Sequence, residues 1–463
     1  MLRIFGHFFP YRLLALWAME GGIIFASIFA ALQVDRLGLE PIQEGPGSAL
    51  LKALALALFV VALLHLCQLH DLRRFYGRRE LFLRLFLALG GAYLLIAAAG
   101  YLVPALRVRR IAYTFSFVFS FAVVFGLRLA YEHLMRDAHN RRRLLLLGSG
   151  RPAQIIADAV NGSHPDYEMV GCVDGHAGRI GQEINGVKIL GTVEDLGRVS
   201  RAARPDVIVV ALAERRQSLP LSDILECKLE GIEVEDWPTF YEKLMGKIHL
   251  TELRPSWLIF SDGFRKSNVT LGVKRGMDVV LSIVGLLLTL PLFPLIALLI
   301  RLDSSGPVFY RQQRLGQGGR VFWLIKFRTM RRDAELETGP VWAGDRDPRA
   351  TRVGRILRRS RLDEVPQLAN VLRGEMSLVG PRPERPDFVG ELQAKIPFYI
   401  HRLTAKPGIT GWAQVKYRYG ATVEDALEKL QYDFYYIKNL SIFFDLLILL
   451  QTIQVVSVGK GSR

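Results

Sequence analysis

Long apolar runs constrain this chain more than any other feature, because each is close to the roughly 20 residues that cross a bilayer as a helix. Four runs lie near the N-terminus and a fifth follows much later. Half of the 463 residues are hydrophobic and the mean hydropathy is positive, which is unusual for a soluble protein. We therefore predict a membrane protein with apolar runs at residues 13–32, 49–69, 81–103, 111–130 and 277–300.

Arginine clusters predict the orientation of the first four runs. By the positive-inside rule, clusters between the second and third runs and after the fourth mark cytoplasmic sides. Residues 1–140 are thus predicted to form a four-helix transmembrane bundle with both ends in the cytosol. Glu20, inside the first run, is functional, part of an interhelical hydrogen bond or in a water-facing position. The supporting arginines are Arg73, Arg74, Arg78, Arg79, Arg136, Arg141, Arg142 and Arg143, whereas Arg107, Arg109 and Arg110 contradict this topology.

The net charge of +16 limits the classes of binding partner that can be expected. Such a charge suits nucleic acid, or anionic lipid with phosphorylated substrates. The basic residues accompany membrane segments and form no separate recognition face, so lipid and phosphate are favoured and nucleic acid is not expected. The three cysteines show no CxxC or metal-ligand spacing, which argues against disulfides and structural zinc.

Residues 141–252 alternate between strand-like and helix-like segments, which predicts a Rossmann-like α/β domain with a parallel sheet. Predicted strands cover residues 144–147, 169–173, 206–212 and 232–234. Gly148 and Gly150 belong to a GxGxxA pattern, and Asp174 follows at the distance of a ribose-binding acid, so all three are candidates for cofactor binding. A structural or regulatory relic is the favoured alternative, since no Tyr-x-x-x-Lys pair accompanies the pattern.

Residues 253–272 are predicted to be a linker, and the apolar run that follows is interrupted by proline. Pro291 should break the helix by clashing with the carbonyl of Leu287. A full crossing would also place the last third of the chain outside the cytosol. We therefore predict a re-entrant helix at about residues 277–301, with hydroxyls such as Thr289 satisfying carbonyls at the bend. A plain fifth span is the alternative.

The C-terminal region, residues 273–463, contains an acidic pair among basic residues. Asp363 and Glu364 precede Pro366, which is predicted to start a helix, so a metal and a phosphate are expected there. An ordinary acidic first turn is the alternative. Residues 307–330 predict a basic β-hairpin suited to a diphosphate or a lipid phosphate. Residues 441–458, which include Asp445, predict an amphipathic helix in the membrane interface.

Five ordered motifs stand out in this region. They are Lys326-Phe-Arg-Thr-Met330, Leu362-Asp-Glu-Val-Pro-Gln-Leu-Ala-Asn-Val-Leu372, Met376-Ser-Leu-Val-Gly-Pro-Arg-Pro383, Lys406-Pro-Gly-Ile-Thr-Gly-Trp-Ala-Gln-Val415 and Tyr432-Asp-Phe-Tyr-Tyr-Ile-Lys-Asn439. With these motifs the region resembles the bacterial sugar transferase family, the polyprenyl-phosphate phosphoglycosyl transferases with a re-entrant membrane helix. The whole chain resembles the long members, the undecaprenyl-phosphate glucose or galactose phosphotransferases of exopolysaccharide or O-antigen synthesis. One departure is Leu290 before Pro291, where the family often has serine.

The resemblance implies transfer of a hexose-1-phosphate from a UDP-sugar to undecaprenyl phosphate, with release of UMP. It implies Asp363 as the nucleophile that forms a covalent phosphosugar intermediate, and Glu364 as a ligand of Mg²⁺. It also implies a mostly helical α+β transferase domain at the cytoplasmic side of the bacterial inner membrane. The residues implied in substrate binding are Arg382, Lys326, Arg328, Arg314 and Asp433.

Two other functions stay open on the sequence. A membrane-tethered nucleotide-sugar dehydratase or epimerase would use residues near Gly148 and bind a dinucleotide. A non-catalytic regulator of polysaccharide assembly would not need Asp363. The sugar, the oligomeric state (monomer or homodimer) and the role of the four spans are not fixed by the sequence.

Overall fold

The structure is a computed structural model that describes residues 2–4, 7–9, 11–36, 46–66, 69, 78–102, 110–136, 141–163, 166–212, 219–252, 255–331, 334, 349–417, 420 and 422–457. Arg73, Arg74, Arg107 and Arg109, used above for topology, lie outside these residues. The chain divides into two compact units, one of residues 1–2 and 9–244 and the other of residues 3–8 and 245–463. Two short strands at the start, β1 (Leu2–Ile4) and β2 (His7–Phe9), pair with each other.

Four long helices form the first part of the first unit. Three of them contain stretches that are long and apolar enough to cross a membrane, and a fourth such stretch lies in the second unit. The apolar stretch of the second helix, Ala49–His65, is shorter. Leucine, alanine and phenylalanine side chains fill the space between the helices. The helices are α1 (Tyr11–Arg36), α2 (Pro46–Leu66), α3 (Arg78–Leu102) and α4 (Arg110–Arg136).

Glu20 is fully buried in this bundle and forms an ion pair with Arg128 of α4. The Arg128 guanidinium lies 2.7 Å from Glu20 Oε1 through Nε and donates to Oε2 through Nη2 at 3.0 Å. Arg128 also donates to the carbonyl of Leu69. A buried charge among apolar helices is costly unless it is paired. The structure thus agrees with the interhelical interpretation of Glu20.

A six-stranded sheet with flanking helices forms the rest of the first unit. The strand order is β5-β6-β4-β3-β7-β8, and all neighbours run parallel except the β5–β6 pair. The four predicted strands all form, and β5 and β6 are two more. The strands are β3 (Arg142–Leu147), β4 (Tyr167–Asp174), β5 (Glu183–Ile184), β6 (Val187–Thr192), β7 (Val207–Val210) and β8 (Glu233–Asp236); the helices are α5 (Arg151–Ser163), α6 (Leu196–Ala203), α7 (Leu221–Leu229) and α8 (Trp237–Met245).

The second unit begins with a short helix, α9 (Pro255–Phe260), within the predicted linker. The long helix α10 (Asn268–Thr289) starts ahead of the predicted position because Ser267 caps it, accepting a hydrogen bond from the Thr270 amide at 3.1 Å. α-Helical structure stops at Thr289, a single 3₁₀ turn covers Leu290–Leu292, and α11 (Phe293–Asp303) follows. The Thr289 hydroxyl donates to the carbonyl of Gly285 at 2.6 Å, whereas the carbonyl that Pro291 leaves without its helical donor is that of Leu287.

The remainder of this unit is a mixed, mostly helical domain. The predicted basic hairpin is present as two antiparallel strands, β9 (Phe309–Leu315) and β10 (Val321–Phe327). Two short parallel strands, β11 (Ser377–Val379) and β12 (Gly408–Thr410), pair further along the chain. The helices are α12 (Arg352–Arg359), α13 (Leu368–Arg373), α14 (Pro386–Lys395), α15 (Trp412–Lys416), α16 (Val423–Asn439) and α17 (Ile442–Ser457).

Helix α17 corrects one detail of the sequence prediction. The amphipathic interpretation places Asp445 on a polar, outward-facing side of the last helix. In the structure Asp445 is fully buried and pairs with Lys274 of α10. The apolar helix faces inward at this position because an oppositely charged partner from another helix compensates the carboxylate.

Candidate active site

The acidic pair lies in a 3₁₀ turn, Leu362–Gln367, which we call the acidic turn. Arg361 precedes the turn, and its φ of 59° is in the left-handed region that residues other than glycine rarely adopt. The prediction that Pro366 starts an α-helix is wrong. Pro366 lies inside the acidic turn, and α13 starts only at Leu368, because the left-handed Arg361 redirects the chain into a tighter turn first.

Glu364 is the most strongly compensated carboxylate of the acidic turn. Its Oε1 atom lies 3.0 Å from Arg382 Nη2, 3.3 Å from Lys326 Nζ and 3.4 Å from Arg361 Nη1. Burial alone would raise the pKa of Glu364, but these three cations outweigh it and hold the pKa well below the usual range of a glutamate. Glu364 is therefore an anion that organises cations around it.

Asp363 has the opposite environment. It is 7% exposed, and its Oδ1 atom is buried without a hydrogen-bond partner among the described residues. Burial raises the pKa of Asp363, and the neighbouring Glu364 raises it further, while Lys326 opposes both. Two adjacent carboxylates thus differ in role, since one holds cations and the other presents a poorly solvated oxygen.

Lys326 reaches the acidic turn because Asn370 fixes strand β10 against helix α13. The Asn370 side chain is fully buried. It donates to the carbonyl of Trp323 at 2.7 Å and accepts from the amide of Ile325 at 3.1 Å, so it continues the hydrogen-bonding pattern of the strand. Burial lowers the pKa of Lys326, and Glu364 partly restores it. Asn370 stands in the sequence motif around the acidic pair, but the motif alone does not reveal this contact.

Arg382 lies on a short segment between two prolines, residues 380–383, which we call the arginine loop. The predicted substrate-binding residue Arg314 holds this loop from the hairpin. Its Nη1 atom donates to the carbonyl of Pro383 at 3.0 Å, and the amide of the adjacent Leu315 donates to the carbonyl of Glu384 at 3.0 Å. The structure thus brings Arg314 to the same site as Arg382, but through the backbone of the loop.

Arg402 is a site residue that the sequence analysis did not identify. It is 5% exposed, and its Nε and Nη2 atoms donate to Asp433 Oδ2 at 3.1 Å and 2.8 Å. Nη2 also donates to the carbonyl of Arg382 at 3.1 Å, and Nη1 donates to the Tyr399 hydroxyl at 2.7 Å. The predicted site residue Asp433 therefore acts on the arginine loop through Arg402. No local motif marks Arg402, since its partner is 31 residues away.

Arg328 does not join this group in the structure. Its Nη2 atom donates to the carbonyls of Ser304 and Ile300, at 2.6 Å and 3.3 Å, and to the Ser304 hydroxyl at 3.1 Å. These contacts satisfy carbonyls at the C-terminal end of α11, where a cation is favourable. The structure thus places Arg328 at the end of the apolar helix pair, although it is only two residues from Lys326 in the sequence.

The three candidates for cofactor binding lie at the carboxyl ends of strands in the first unit. Gly148 has a φ of 116°, and a Cβ atom there would lie 2.8 Å from the carbonyl oxygen of Ala211, so only glycine fits. Gly150 accepts hydrogen bonds from the amides of Ala153 and Gln154 at the start of α5. Asp174 accepts from the amide of Gly175 and lies 3.6 Å from Arg179. The contacts of the two glycines are explained by the fold itself, whereas Asp174 Oδ2 is buried without a hydrogen-bond partner among the described residues.

The oxygen donors of the acidic turn are of the kind that Mg²⁺ accepts. Mg²⁺ is commonly held by one or two carboxylates together with substrate phosphates, and it does not require a full protein cage. The described residues contain no cluster of three or more potential metal ligands. The partner-free Asp363 Oδ1 and the adjacent Glu364 nevertheless supply the hard oxygen atoms that such a shared site needs.

Comparison with known proteins agrees with the motifs. Residues 269–459 match the bacterial sugar transferase family. The UDP-N-acetylgalactosamine-undecaprenyl-phosphate N-acetylgalactosaminephosphotransferase of Aeromonas hydrophila is 40% identical over 270 residues, which are 58% of this chain and 62% of that protein. The undecaprenyl-phosphate glucose phosphotransferase of Komagataeibacter xylinus is 32% identical over 359 residues, 73% of this chain and 64% of that protein. The exopolysaccharide production protein ExoY of Rhizobium meliloti is 39% identical over 203 residues, 41% of this chain and 87% of that protein.

Proposed function

Because the chain belongs to the bacterial sugar transferase family, we propose that it transfers a hexose-1-phosphate from a UDP-sugar to undecaprenyl phosphate and releases UMP. The product would start the assembly of an exopolysaccharide or an O-antigen. The observation that carries the proposal is the buried acidic turn, in which Asp363 offers an oxygen that has no hydrogen-bond partner among the described residues, beside a glutamate that binds three cations. The names of the relatives support the donor and the acceptor.

The reaction proceeds in two phosphoryl transfers. In the first, a carboxylate oxygen of Asp363 attacks the phosphorus that carries the sugar, and the bond from this phosphorus to the oxygen shared with the uridine phosphate breaks. UMP leaves with the electron pair, and an acyl phosphate joins Asp363 to the sugar. In the second, an oxygen of undecaprenyl phosphate attacks the same phosphorus, and Asp363 leaves as a carboxylate.

The cations around Glu364 position the substrate and stabilise its charge. Arg382 is 32% exposed in its side chain and binds the diphosphate, while Lys326 lowers the pKa of Asp363 and so favours its ionised form. Glu364 holds both cations in place. Glu364 would hold Mg²⁺, and the ion would supply neutralisation of the charge on the departing phosphate. The adjacent Asp363 and Glu364 thus divide the work into nucleophile and organiser.

The helix pair α10–α11 enters and leaves the membrane on one side. Both of its ends attach to the same domain, which supports this proposal. At the first end Arg275 donates to the carbonyls of Val371 and Leu372, at 2.6 Å and 2.7 Å. At the other end Asp303 Oδ2 accepts from the amide of Val353 at 2.8 Å. The break at Leu290–Leu292 supplies the bend, and the catalytic domain lies on the cytoplasmic face of the bacterial inner membrane, where UDP-sugars are found.

Residues 141–252 form a Rossmann-like domain between the bundle of residues 1–140 and the catalytic region. The order β6-β4-β3-β7-β8, with β3 first along the chain, supports this assignment because it matches the first five strands of the doubly wound fold. In this domain Gly148 allows the chain after β3 to pass close to the carbonyl of Ala211, which follows β7. The predicted linker of residues 253–272 contains α9 and the first five residues of α10, so the catalytic domain, predicted as residues 273–463, starts with α10 at Asn268.

The proposal is tested with purified protein, undecaprenyl phosphate, Mg²⁺ and a panel of UDP-sugars that includes UDP-glucose and UDP-N-acetylgalactosamine. The wild type should release UMP with at least one donor. Asp363→Asn should lower turnover by about 1,000-fold or more, as expected when a nucleophile is lost, and should abolish a phosphosugar adduct on the peptide containing residue 363.

The control is Asp387→Asn, which makes the same change at an exposed position on α14 and should leave turnover unchanged. Near-normal UMP release by Asp363→Asn would refute the role of Asp363. No release from any donor by the wild type would refute the transferase activity itself. Chelation of Mg²⁺ should stop release, and unaffected turnover in excess chelator would remove the metal from the mechanism.

A further inference from the structure

Two charged residues on apolar helices of the second unit are buried against each other. Lys274 near the start of α10 is 7% exposed, and Asp445 on α17 is fully buried. The Lys274 ammonium donates to Asp445 Oδ2. A lysine at the end of a membrane helix commonly reaches toward lipid head groups or water. Here the Lys274 ammonium points into the protein, where its charge requires a compensating partner.

Lys274 bonds the backbone carbonyl of Val379, at the end of β11, and Asp445 is connected to the same carbonyl through Tyr436. Lys274 Nζ donates to this oxygen at 3.1 Å, and the Ser377 hydroxyl donates to it at 3.0 Å. The Tyr436 hydroxyl lies 3.0 Å from the same oxygen and 2.8 Å from Asp445 Oδ1, and its single proton serves one of these acceptors at a time. We call Lys274, Tyr436 and Asp445 the Val379 cluster.

The carbonyl of Val379 immediately precedes the arginine loop. The next amide, that of Gly380, donates to the carbonyl of Thr410 at 2.9 Å, and three residues after Val379 the Arg382 guanidinium reaches Glu364. Within the loop, the carbonyl of Arg382 accepts from Arg402, which is paired with Asp433. Asp433 and Tyr436 are three residues apart on α16 and therefore lie on the same face of that helix. One face of α16 thus supports the loop at Val379 and at Arg382, while Arg314 holds its end at Pro383.

We propose that the Val379 cluster is a set of positioning residues that places Arg382 for binding the substrate diphosphate, and that it joins the arginine loop to the membrane helix α10. This proposal rests on the proposed function. In this arrangement the charged pair Lys274–Asp445 sets the position of the arginine loop and does not bind lipid. A shift of α10 relative to α17 would move the carbonyl of Val379 and with it Arg382, so catalysis depends on correct seating of the membrane helix.

The test is a double-mutant cycle of Tyr436→Phe with Arg382→Ala, read as kcat/KM for the UDP-sugar. Tyr436→Phe removes one hydroxyl and keeps the buried ring. In the wild-type background it should lower kcat/KM by about tenfold, because misplacing a substrate-binding group costs one to two orders of magnitude. In the Arg382→Ala background the same change should cost less than about twofold, because its effect is already lost.

The control is Tyr93→Phe, which removes another buried tyrosine hydroxyl, one that bonds Ser116 among the helices of the first unit. It should leave kcat/KM within about twofold. Tyr436→Phe without effect on the wild type, or with the same loss in both backgrounds, would overturn the proposal. Equal losses would mean that Tyr436 acts on stability alone.

Hydrogen exchange separates failure of this proposal from failure of the proposed function. In Tyr436→Phe and in Asp445→Asn, the peptide covering residues 378–384 should exchange about tenfold faster than in the wild type, while peptides of the Rossmann-like domain stay unchanged. This result is expected whether or not the wild type releases UMP. Unchanged exchange of this peptide in both variants would refute the positioning role, even in an active transferase.

Discussion

Lys326 and Glu364 show how a single lysine serves two carboxylates of different function. Lys326 Nζ lies 3.3 Å from Glu364 and also lowers the pKa of Asp363, which burial raises. The Lys326 side chain is 19% exposed, and its partial burial disfavours the charged ammonium, which these carboxylates stabilise. The same residue therefore stabilises the acidic turn and sets the protonation of the proposed nucleophile.

This arrangement predicts the pH dependence of Lys326→Gln. Asp363 must be ionised to attack, so kcat/KM rises with pH through its pKa. Lys326 lowers that pKa, and its removal should raise it, so the acidic limb of the profile should move to higher pH. We also expect kcat/KM above the limb to fall by about 10²-fold or more, because one cationic donor is lost.

The matched variant is Lys326→Arg, which keeps the charge and should leave the acidic limb close to its wild-type position. The measurement is kcat/KM for the UDP-sugar as a function of pH in the wild type and both variants. An acidic limb that stays in place or moves to lower pH in Lys326→Gln would contradict the role of Lys326 in ionising Asp363.

Helix α16 is the element that organises the site, and it does so through the arginine loop. Its Asp433 binds Arg402, which reaches the carbonyl of Arg382, and its Tyr436 reaches the carbonyl of Val379. The helix starts at a capping box in which Thr422 and Asp425 bond each other's backbone amides. A well-defined start fixes the register of the helix, so both contacts depend on it.

Arg402→Lys tests this element-level role. Arg402 makes four hydrogen-bonding contacts in different directions, to Asp433 twice, to Tyr399 and to the Arg382 carbonyl, and a lysine ammonium cannot reproduce their planar geometry. We expect kcat/KM to fall by about tenfold and the free energy of unfolding to fall by about 1–3 kcal/mol, because Asp433 keeps an incomplete set of donors.

Arg373→Lys is the control, since Arg373 is exposed at the end of α13. Thermal unfolding in detergent and UMP release measure the two effects. If Arg402→Lys behaves like Arg373→Lys in both measurements, the Arg402–Asp433 pair does not support the arginine loop.

The sequence predicted the local elements better than the contacts between residues that are far apart along the chain. The hairpin around Lys326 and the strands after Arg143 follow from short patterns of apolar and polar residues, and they are confirmed. The start of a helix at Pro366 was wrong because a left-handed Arg361 changes the turn. Arg402 and Tyr436 could not be predicted, because their roles arise from partners that only the tertiary fold brings near.

At the scale of the whole molecule, the chain combines helices suited to crossing a membrane with a helix pair whose two ends attach to one domain. The stretch Asn268–Asp303 is long and apolar enough to span, so composition alone does not distinguish a crossing from a return. The anchoring contacts of Arg275 and Asp303 favour a return, because a straight crossing would separate these two ends by the thickness of the bilayer.

Cysteine labelling on intact cells tests this topology. In a variant with Cys67, Cys172 and Cys227 replaced by serine, Asp262→Cys lies before α10 and Ser305→Cys lies after α11, and both positions are exposed. Ser305 is preferred to Ser304, which binds Arg328. Both cysteines should resist a membrane-impermeant maleimide until the cells are opened. Labelling of Ser305→Cys alone in intact cells would establish a full crossing and refute the re-entrant helix.

The prolines that flank Arg382 have a consequence for how the enzyme could diversify. Pro381 and Pro383 carry no backbone N–H, so the arginine loop cannot form a nest of amides around an anion. The loop therefore binds phosphate mainly through the Arg382 guanidinium. A guanidinium recognises pairs of phosphate oxygens, which every UDP-sugar shares. A new sugar preference can therefore arise through other side chains while this loop, and the helices that hold it, remain unaltered.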